Sequence, residues 1–358
     1  MKLLKLIIPF CFVFIGSCQA SKNIIPDDQM VENSALVFVK DSVAERIVLY
    51  QRSNGGWPQP GGNAINYTIP ISESLKNILK SEKNKLDACI DDQATTLEIK
   101  TLVTIFKKTN NPEYKKSAEN GIKYLLSAQN LAGGWGQFYP DSSSYRKHIT
   151  YNDNAMINVL WVLKYTAEGL NDFEVVDKSL ISEVKNAMIK GIDCILKTQY
   201  VQSGKLTAWC AQHDRISLKP ANARAFELAS ISGSESVGIC YFLMGIENPT
   251  PAIKNAINSA ISWLENVKIV GIKVQDISDS NQSSGKDRVI VTDPNSIIWA
   301  RFYDLQSNKP FFTGRDSMPK PTLAEIENER RIGYAYYGTW PKKLLATDYP
   351  LWLAKWGK

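Results

Sequence analysis

The chain has 358 residues, of which 44% are hydrophobic and 22% charged, with a formal net charge of +6. This composition is typical of a globular protein with a sizeable core and excludes a disordered chain. The mild positive charge fits a local groove for a polyanion, and the lack of a lysine-rich run or a nucleic-acid motif argues against DNA or RNA as a partner.

The N-terminus indicates export. Lys2 and Lys5 precede an apolar stretch over 6–15 that is too short to span a bilayer. The small residues before Cys18 resemble the lipobox of bacterial lipoproteins, which predicts that Cys18 becomes lipidated and anchors the protein to a membrane. The alternative is an ordinary signal peptide cut near Ala20. Either signal takes the protein out of the cytoplasm.

This division predicts a signal peptide over 1–18, a linker over 19–34 and a single catalytic domain over 35–358. We expect a monomer in the periplasm or on the outer membrane, or a secreted protein. Four cysteines of the domain allow three disulfide pairings, and buried free thiols are the alternative. They are Cys89, Cys194, Cys210 and Cys240.

Three similar loops form an internal repeat. Each has a glutamine that precedes a glycine-containing loop and a tryptophan. The pairs are Gln51 and Trp57, Gln129 and Trp135, and Gln199 and Trp209. A repeat of roughly 75 residues suits a stacked pair of helices.

Apolar residues at helical spacing predict helices between these loops. The predicted helices are 35–51, 95–108, 113–129, 154–167, 180–199, 235–246, a segment from about Pro251 to 267, and 323–331. Alternation is limited to 269–274 and 289–291, which we predict as short strands. The expected fold is all-α, an (α/α)3 toroid of antiparallel helix pairs with long rim loops and a few short strands.

Antiparallel pairs would bring the tryptophan loops and the start of each first helix to one rim. Acidic and polar residues stand at these starts, namely Asp91-Asp92, Asn152-Asp153 and Ser234-Glu235. Each is usually an N-cap. Their clustering instead favours a hard-cation site, and oxygen ligands favour calcium. With two histidines and no zinc-like spacing, zinc is a poor fit.

The long segment 204–233 carries cations to the same rim. Arg215, Lys219 and Arg224 suit an anionic substrate with a bridging cation, although surface ion pairs explain any one of them equally well. His213 is more simply a hydrogen-bonded structural residue than a base.

Aromatic residues also lie in these rim loops. Trp135 and Trp209 suit stacking against sugar rings, and a place in the core is the alternative. Further along the chain, Arg315 follows a glycine in a turn-like context, which predicts an exposed guanidinium.

Seven segments, in this order, resemble the pectate lyases of polysaccharide-lyase family ten. They are 91–96, 133–140, 148–153, 205–214, 220–227, 232–236 and 314–316. The resemblance extends over most of the chain from about residue 35. It implies the (α/α)3 toroid, calcium dependence, and endo-type cleavage of polygalacturonate, the demethylated homogalacturonan, by β-elimination.

The resemblance also implies roles for individual residues. Asp91 and Asp153 would bind calcium, with a substrate carboxylate completing its shell. Arg224 would remove the C5 proton of the uronate, and Arg315 would hold a substrate carboxylate. Because arginine has a pKa above about 12, activity should rise toward alkaline pH.

Asn152 and Lys219 are added as substrate contacts. The chain departs from the family at Asp92 and Gln93, where asparagine and glycine are usual, which puts substrate preference in doubt. Two other functions stay open from the residues alone: an inverting glycoside hydrolase with paired carboxylates, and a surface polysaccharide-binding lipoprotein without catalysis.

Overall fold

Most helices of the computed structural model, which describes residues 38–357, fall where periodicity predicts them. They are α1 (Ser42–Tyr50), α2 (Glu73–Ser81), α3 (Thr96–Thr109), α4 (Pro112–Ala128), α5 (Ala155–Glu168), α6 (Ile181–Thr198), α7 (Glu235–Met244), α8 (Pro251–Asn266), α9 (Asn328–Gly333), α10 (Pro341–Lys343) and α11 (Tyr349–Trp356). The six helices from α3 to α8 match the predicted bounds to within two residues. Helices α2, α10 and α11 were not predicted.

These six helices pack as consecutive pairs, α3 with α4, α5 with α6, and α7 with α8. Local sequence explains several of their ends. Asn111 caps α4 and is followed by Pro112, while Thr250 caps α8 and is followed by Pro251. A proline at the first helical position lacks only an amide hydrogen that would have no partner within the helix. Helix α3 ends at Asn110, which takes the left-handed conformation that asparagine tolerates.

Strands make the fold mixed α and β, and the all-α prediction is wrong. The strands are β1 (Ile149–Thr150), β2 (Val201–Gln202), β3 (Lys205–Leu206), β4 (Gln212–His213), β5 (Ile231–Ser232), β6 (Ile269–Ser278), β7 (Lys286–Ala300), β8 (Phe302–Tyr303), β9 (Phe312–Thr313), β10 (Pro319–Lys320) and β11 (Tyr337–Gly338). Helix accounts for 47% and strand for 16% of the residues from 38 to 357, with the strands in several small sheets. Two-residue strands were missed because they are too short to show alternation.

Short antiparallel pairings join the loops of successive helix pairs. Strand β1 pairs with β4, and β5 pairs with β8. Single bridges between Cys89 and Phe138 and between Cys210 and Ile231 continue this pattern. These backbone hydrogen bonds hold segments distant in sequence side by side at the starts of α3, α5 and α7.

The two strands predicted at 269–274 and 289–291 are confirmed, and both are longer than predicted: they belong to a long antiparallel hairpin of β6 and β7. Its second strand ends at Ala300, so Arg301 follows directly. Strand β11 pairs with the end of β7, with Tyr337 opposite Ala300. Arg301 therefore lies at the end of the hairpin, and Trp340 lies in the turn after β11. The pairing of β11 with the end of β7 places these two residues in the same part of the molecule.

The repeated glutamines and tryptophans have a structural role. Each glutamine donates from its amide to its own loop and to the second helix of the following pair: Gln51 to Gly55 O and Ser117 O, Gln129 to Gly133 O and Ala187 O, and Gln199 to Thr207 O and Ala256 O. Each tryptophan indole donates to a carbonyl of the preceding helix: Trp57 to Ile47 O, Trp135 to Leu125 O, and Trp209 to Ile195 O. The internal repeat is thus confirmed as a repeated joint between helix pairs.

Close packing explains the glycines of two of these loops. A Cβ atom on Gly55 would lie 2.3 Å from Asn120 O, and one on Gly133 would lie 2.3 Å from Lys190 O. Both glycines also have positive φ angles, 94° and 88°. Only glycine combines this backbone conformation with so close an approach.

The remaining predictions about segments and thiols have different outcomes. The signal peptide over 1–18, the lipidated Cys18 and the linker over 19–34 lie outside the described residues. Within 38–357, which form one compact unit, no helix has the length and apolar character to cross a membrane. Of the two alternatives for the cysteines, the structure shows free thiols, and all four are buried.

Candidate active site

A cleft of about 800 Å³ brings together residues that lie far apart in the sequence. Its lining includes Asp91, Asn152, Asp153 and Arg224, four of the predicted site residues. Asp91 precedes α3, Asn152 and Asp153 precede α5, and Arg224 belongs to the long loop after β4. The cleft is therefore assembled from three of the segments that the short strand pairings hold together.

Two similar turns carry the carboxylates. Residues Asp91–Gln93 and Asn152–Asn154 each form one short 3-10 turn before a helix, and the two turns pack against each other. Asp92 and Asp153 have left-handed backbones, with φ angles of 42° and 49°. Such strain in non-glycine residues is concentrated at functional sites, where the surrounding fold must hold it in place.

Asp153 is held by two donors. Arg301 donates from Nη2 to Oδ1 at 3.0 Å, and Asn152 donates from Nδ2 to Oδ2 at 2.7 Å. The same Arg301 nitrogen donates to Glu235 Oε1 at 2.8 Å. Glu235 is buried and also accepts a hydrogen bond from Ser232. One buried guanidinium therefore joins the carboxylate of the α5 turn to that at the start of α7.

Arg224 is held by a second carboxylate. Its Nε donates to Glu227 Oε2 at 2.7 Å and its Nη2 donates to Glu227 Oε1 at 2.6 Å. Tyr334 donates from its hydroxyl to the same Glu227 Oε1 at 2.9 Å. This bidentate pair fixes the plane of the guanidinium and leaves Nη1 without a hydrogen bond to the described residues.

An aromatic ring connects these two ion pairs. The Arg301 guanidinium lies 5.0 Å from the centroid of the Tyr334 ring, whose hydroxyl is bonded to Glu227. Cation–π contact and hydrogen bonds thus run in sequence from Asp153, through Arg301 and Tyr334, to Glu227 and Arg224. The carboxylate and the arginine of the cleft share one supporting network.

The electrostatics of the cleft are dominated by burial and like charges. Burial raises the pKa of the Asp91 carboxyl, and the Asp92 and Asp153 carboxylates raise it further, while a hydrogen bond from Gln137 and the charge of Arg224 act in the opposite direction. The hydrogen bonds to Glu227 raise the pKa of Arg224. The neighbouring carboxylates favour a bound cation, and the pairing with Glu227 favours protonated Arg224.

The donor set partly fits calcium. The cleft lining offers carboxylate or amide oxygens, which calcium accepts, from Asp91, Asp92, Asp153, Asn152 and Gln137. A cation would also relieve the repulsion that raises the pKa of Asp91. Over residues 38–357, however, no three His, Cys, Asp or Glu side chains are arranged as a metal centre. Most of a calcium shell would have to come from substrate and water.

Two predicted contacts lie outside this lining. Lys219 is exposed on the loop after β4. Arg315 is exposed, as predicted, and its Nη2 donates to Glu329 Oε1 at 3.0 Å. The Arg315 guanidinium lies 5.3 Å from the centroid of the Phe226 ring, and the Arg224 guanidinium lies 4.9 Å from the same centroid. Arg315 thus borders the Arg224 end of the cleft.

The proposed role of two tryptophans must be corrected. Trp135 and Trp209 have no exposed surface, and their indole nitrogens are bonded to helix carbonyls. They cannot stack on a sugar, because the internal repeat places them in the core. Phe138 and Tyr145 are aromatic residues that do line the cleft.

His213 does not belong to the lining of the cleft. It is buried, its Nδ1 lies 3.0 Å from Leu218 O, and burial lowers its pKa to about 4. The imidazole is therefore neutral at ordinary pH. This agrees with the structural interpretation drawn from the sequence.

Sequence reasoning missed several residues of the site. Glu227 stands three residues after Arg224, a spacing that could have suggested an ion pair. Glu235 was noted as part of an acidic helix start, but its link to Arg301 was not expected. Arg301 reaches the site from the end of the hairpin, and Tyr334 reaches it from the chain after α9. No local sequence pattern indicates that these two residues lie at the site.

A second groove adjoins the cleft. It has a volume of about 500 Å³, and Asp92 and Asp153 line both spaces. The rest of its lining comprises Ala64, Gln93, Asn154, Ser234, Glu235, Arg301 and Trp340. The two acidic turns therefore stand at the junction of two grooves, an arrangement suited to a chain-like ligand that continues on both sides.

Comparisons with known proteins agree on one family. The family model described as pectic acid lyase matches residues 51–345. Two similar solved structures are a family 10 polysaccharide lyase from Cellvibrio cellulosa and an alanine mutant of such a lyase from that organism in complex with trigalacturonic acid. Each has 32% identity and a TM-score of 0.76, and each match covers 88% of this chain and over nine-tenths of the other. No match was found among curated proteins.

Proposed function

Because the chain belongs to the pectic acid lyase family, family ten of the polysaccharide lyases, it is a polysaccharide lyase, and we propose that it cleaves polygalacturonate by calcium-dependent β-elimination with Arg224 as the base. The family resemblance seen in the sequence is thereby confirmed. Membership in a lyase family also rejects the glycoside hydrolase and the non-catalytic binding protein as alternatives.

One observation carries the mechanism: Asp91, Asp153 and Arg224 line one cleft, although more than a hundred residues separate the first from the last. The trigalacturonic acid bound to a similar lyase supports an acidic polysaccharide as the substrate class. A uronate in this cleft would meet carboxylates on one side and a guanidinium on the other, which is the charge pattern that a cation-bridged carboxylate requires.

The reaction needs a proton removed from C5, next to the substrate carboxylate. The electron pair of the C5–H bond forms a C4–C5 double bond, the C4–O bond breaks, and the departing oxygen gains a proton. Calcium, when bound by Asp91 and Asp153, would supply positive charge that stabilises the negative charge building on the substrate carboxylate. Asn152 and Arg301 hold Asp153 in place for this contact.

Arg224 is proposed as the base through Nη1. This nitrogen is the one left after Glu227 binds Nε and Nη2, so Glu227 sets the direction in which the guanidinium meets substrate. The same pairing raises the pKa of Arg224 and opposes loss of its proton. The base role therefore requires high pH, desolvation by the bound substrate, and the nearby cation.

Arg315 is proposed to hold a second substrate carboxylate beside Arg224. Both guanidiniums lie against the Phe226 ring, and Arg315 is exposed enough to exchange Glu329 for a uronate. Export, and a lipid on Cys18, rest on residues 1–20 and are proposed on that sequence pattern.

The proposal is tested by the ultraviolet absorbance of products from polygalacturonate. Elimination leaves a conjugated unsaturated uronate, which hydrolysis does not. We expect a signal that rises toward alkaline pH, disappears with a chelator and returns with added calcium. Products without this absorbance, or turnover that the chelator leaves unchanged, would contradict the mechanism.

A further inference from the structure

The groove beside the acidic turns contains an aromatic platform that the proposed mechanism does not use. Trp340 is partly exposed and lines this groove together with Asp92 and Asp153. Neither of the tryptophans that the sequence suggested for sugar binding reaches a surface, whereas Trp340 does. An indole on a polysaccharide path offers a flat apolar face to the C–H groups of a sugar ring.

Packing fixes the position of this indole. A Cβ atom on Gly338 would lie 2.5 Å from Trp340 Cε2 and 2.6 Å from Cζ2, so the ring rests directly on the glycine backbone. Gly338 belongs to β11, which is paired with Trp299 of β7. The ring also packs against the main hydrophobic core. Little conformational entropy is therefore lost when a ligand contacts it.

The charges of the groove are unfavourable to a free carboxylate. Its lining has three carboxylates, of Asp92, Asp153 and Glu235, and one guanidinium, that of Arg301. Arg301 is already bonded to Asp153 and Glu235, so it has little positive charge to offer. Calcium held by Asp91 and Asp153 would be balanced by those two carboxylates. The groove would keep an excess of negative charge.

We propose that this groove is a subsite for a galacturonate unit whose carboxyl is methyl-esterified, stacked on Trp340. An ester removes the charge that Asp92 would repel, and its methyl group adds apolar surface for the indole. The main cleft takes the free uronate, because its calcium and arginine need a carboxylate. The enzyme would then act on partly esterified chains, with the unesterified unit at the reactive centre. This inference rests on the proposed lyase function.

The test compares two substrates of matched chain length: polygalacturonate, and the same polymer after partial methyl esterification. Trp340→Ala should lower kcat/KM about tenfold on the esterified polymer and less than about twofold on the unesterified one, which corresponds to the loss of one aromatic contact. Trp340→Phe should retain most of the activity. Trp356→Ala, at a partly exposed tryptophan of α11 outside both grooves, serves as the matched control.

Calorimetric binding of esterified oligogalacturonates to wild type and to Trp340→Ala gives a readout without catalysis. We expect weaker binding to the variant. In the presence of Trp340 we expect partly esterified oligomers, which keep a free uronate for the main cleft, to bind more strongly than unesterified ones. Equal losses on both polymers, or no loss on either, would overturn the inference. A wild type that makes no unsaturated product would instead reject the lyase mechanism, while the binding comparison would still decide the role of Trp340.

Discussion

Arg301 and Asp153 are paired across 148 positions of sequence, with Arg301 Nη2 donating to Asp153 Oδ1 at 3.0 Å. The guanidinium is nearly buried and also neutralises Glu235, whose side chain is only 2% exposed. A cleft residue proposed to bind calcium is thus positioned by an arginine from a different part of the fold. Loss of this arginine would leave the buried carboxylate of Glu235 without a cationic partner.

Arg301→Ala should therefore lower the free energy of unfolding by about 3 kcal/mol, the scale for breaking one side of a buried ion pair. Urea denaturation measures this change. Arg215→Ala, at an exposed position, should change it by less than about 0.5 kcal/mol. Adding Glu235→Gln to Arg301→Ala should recover part of the loss, and no recovery would mean that the unpaired charge of Glu235 is not the cause.

Glu227→Gln should shift the rise of activity with pH to lower pH. The carboxylate of Glu227 stabilises protonated Arg224, so its removal lowers the pKa of Arg224 and frees the proposed base earlier in a titration. The measurement is kcat/KM on polygalacturonate as a function of pH. Glu247→Gln, at an exposed partner of Lys355, should leave the profile unchanged. An unshifted profile for Glu227→Gln would indicate that Arg224 acts as a fixed cation.

Arg224→Ala should reduce turnover by about a thousandfold or more, because both the base and a positive charge next to the substrate are lost. Arg224→Lys should restore a charge without the fork that Glu227 binds, and should remain strongly impaired. Initial rates of ultraviolet absorbance give both values. Near-normal turnover by Arg224→Ala would remove this residue from the reaction.

Calcium should raise the melting temperature of the wild type and have little effect on Asp91→Asn or Asp153→Asn, because a ligand that binds the folded state stabilises it. Since the pKa of Asp91 is raised, protons should compete with calcium at higher pH than for an ordinary carboxyl. Calorimetric titrations between about pH 4 and pH 7 would detect this loss of affinity. Asp193→Asn, in an exposed pair with Lys197, is the control. A calcium response retained by both cleft variants would place the ion elsewhere.

Gly133→Ala should destabilise the protein by about 3 kcal/mol or more, because the new Cβ meets Lys190 O at 2.3 Å and the backbone has a positive φ. Gly204→Ala is the matched control, since Gly204 also has a positive φ, 78°, but nothing within 4 Å of the new atom. It should cost only about 1 kcal/mol. Thermal or urea unfolding measures both. Equal costs would mean that the close contact is unimportant.

The internal repeat shows how far the sequence could lead. Helices α3 to α8 follow from apolar periodicity, which is local and therefore visible in one sequence. The repeated Gln and Trp positions were recognised as equivalent, but a tryptophan after a glycine suits both a core and a sugar platform. Burial of Trp135 and Trp209 depends on the neighbouring helix pair, so the sequence alone could not separate the two roles.

The sequence by itself determined helices α3 to α8, the repeat, the family, and the candidate residues Asp91, Asp153 and Arg224, because each is encoded in periodic or contiguous positions. Tertiary structure alone decided that short strands make the fold mixed. It also decided that Glu227 and Arg301 support the site and that Trp340 reaches a groove. Those contacts depend on backbone pairings between remote segments, whose geometry is set by packing of the whole domain and leaves no local pattern.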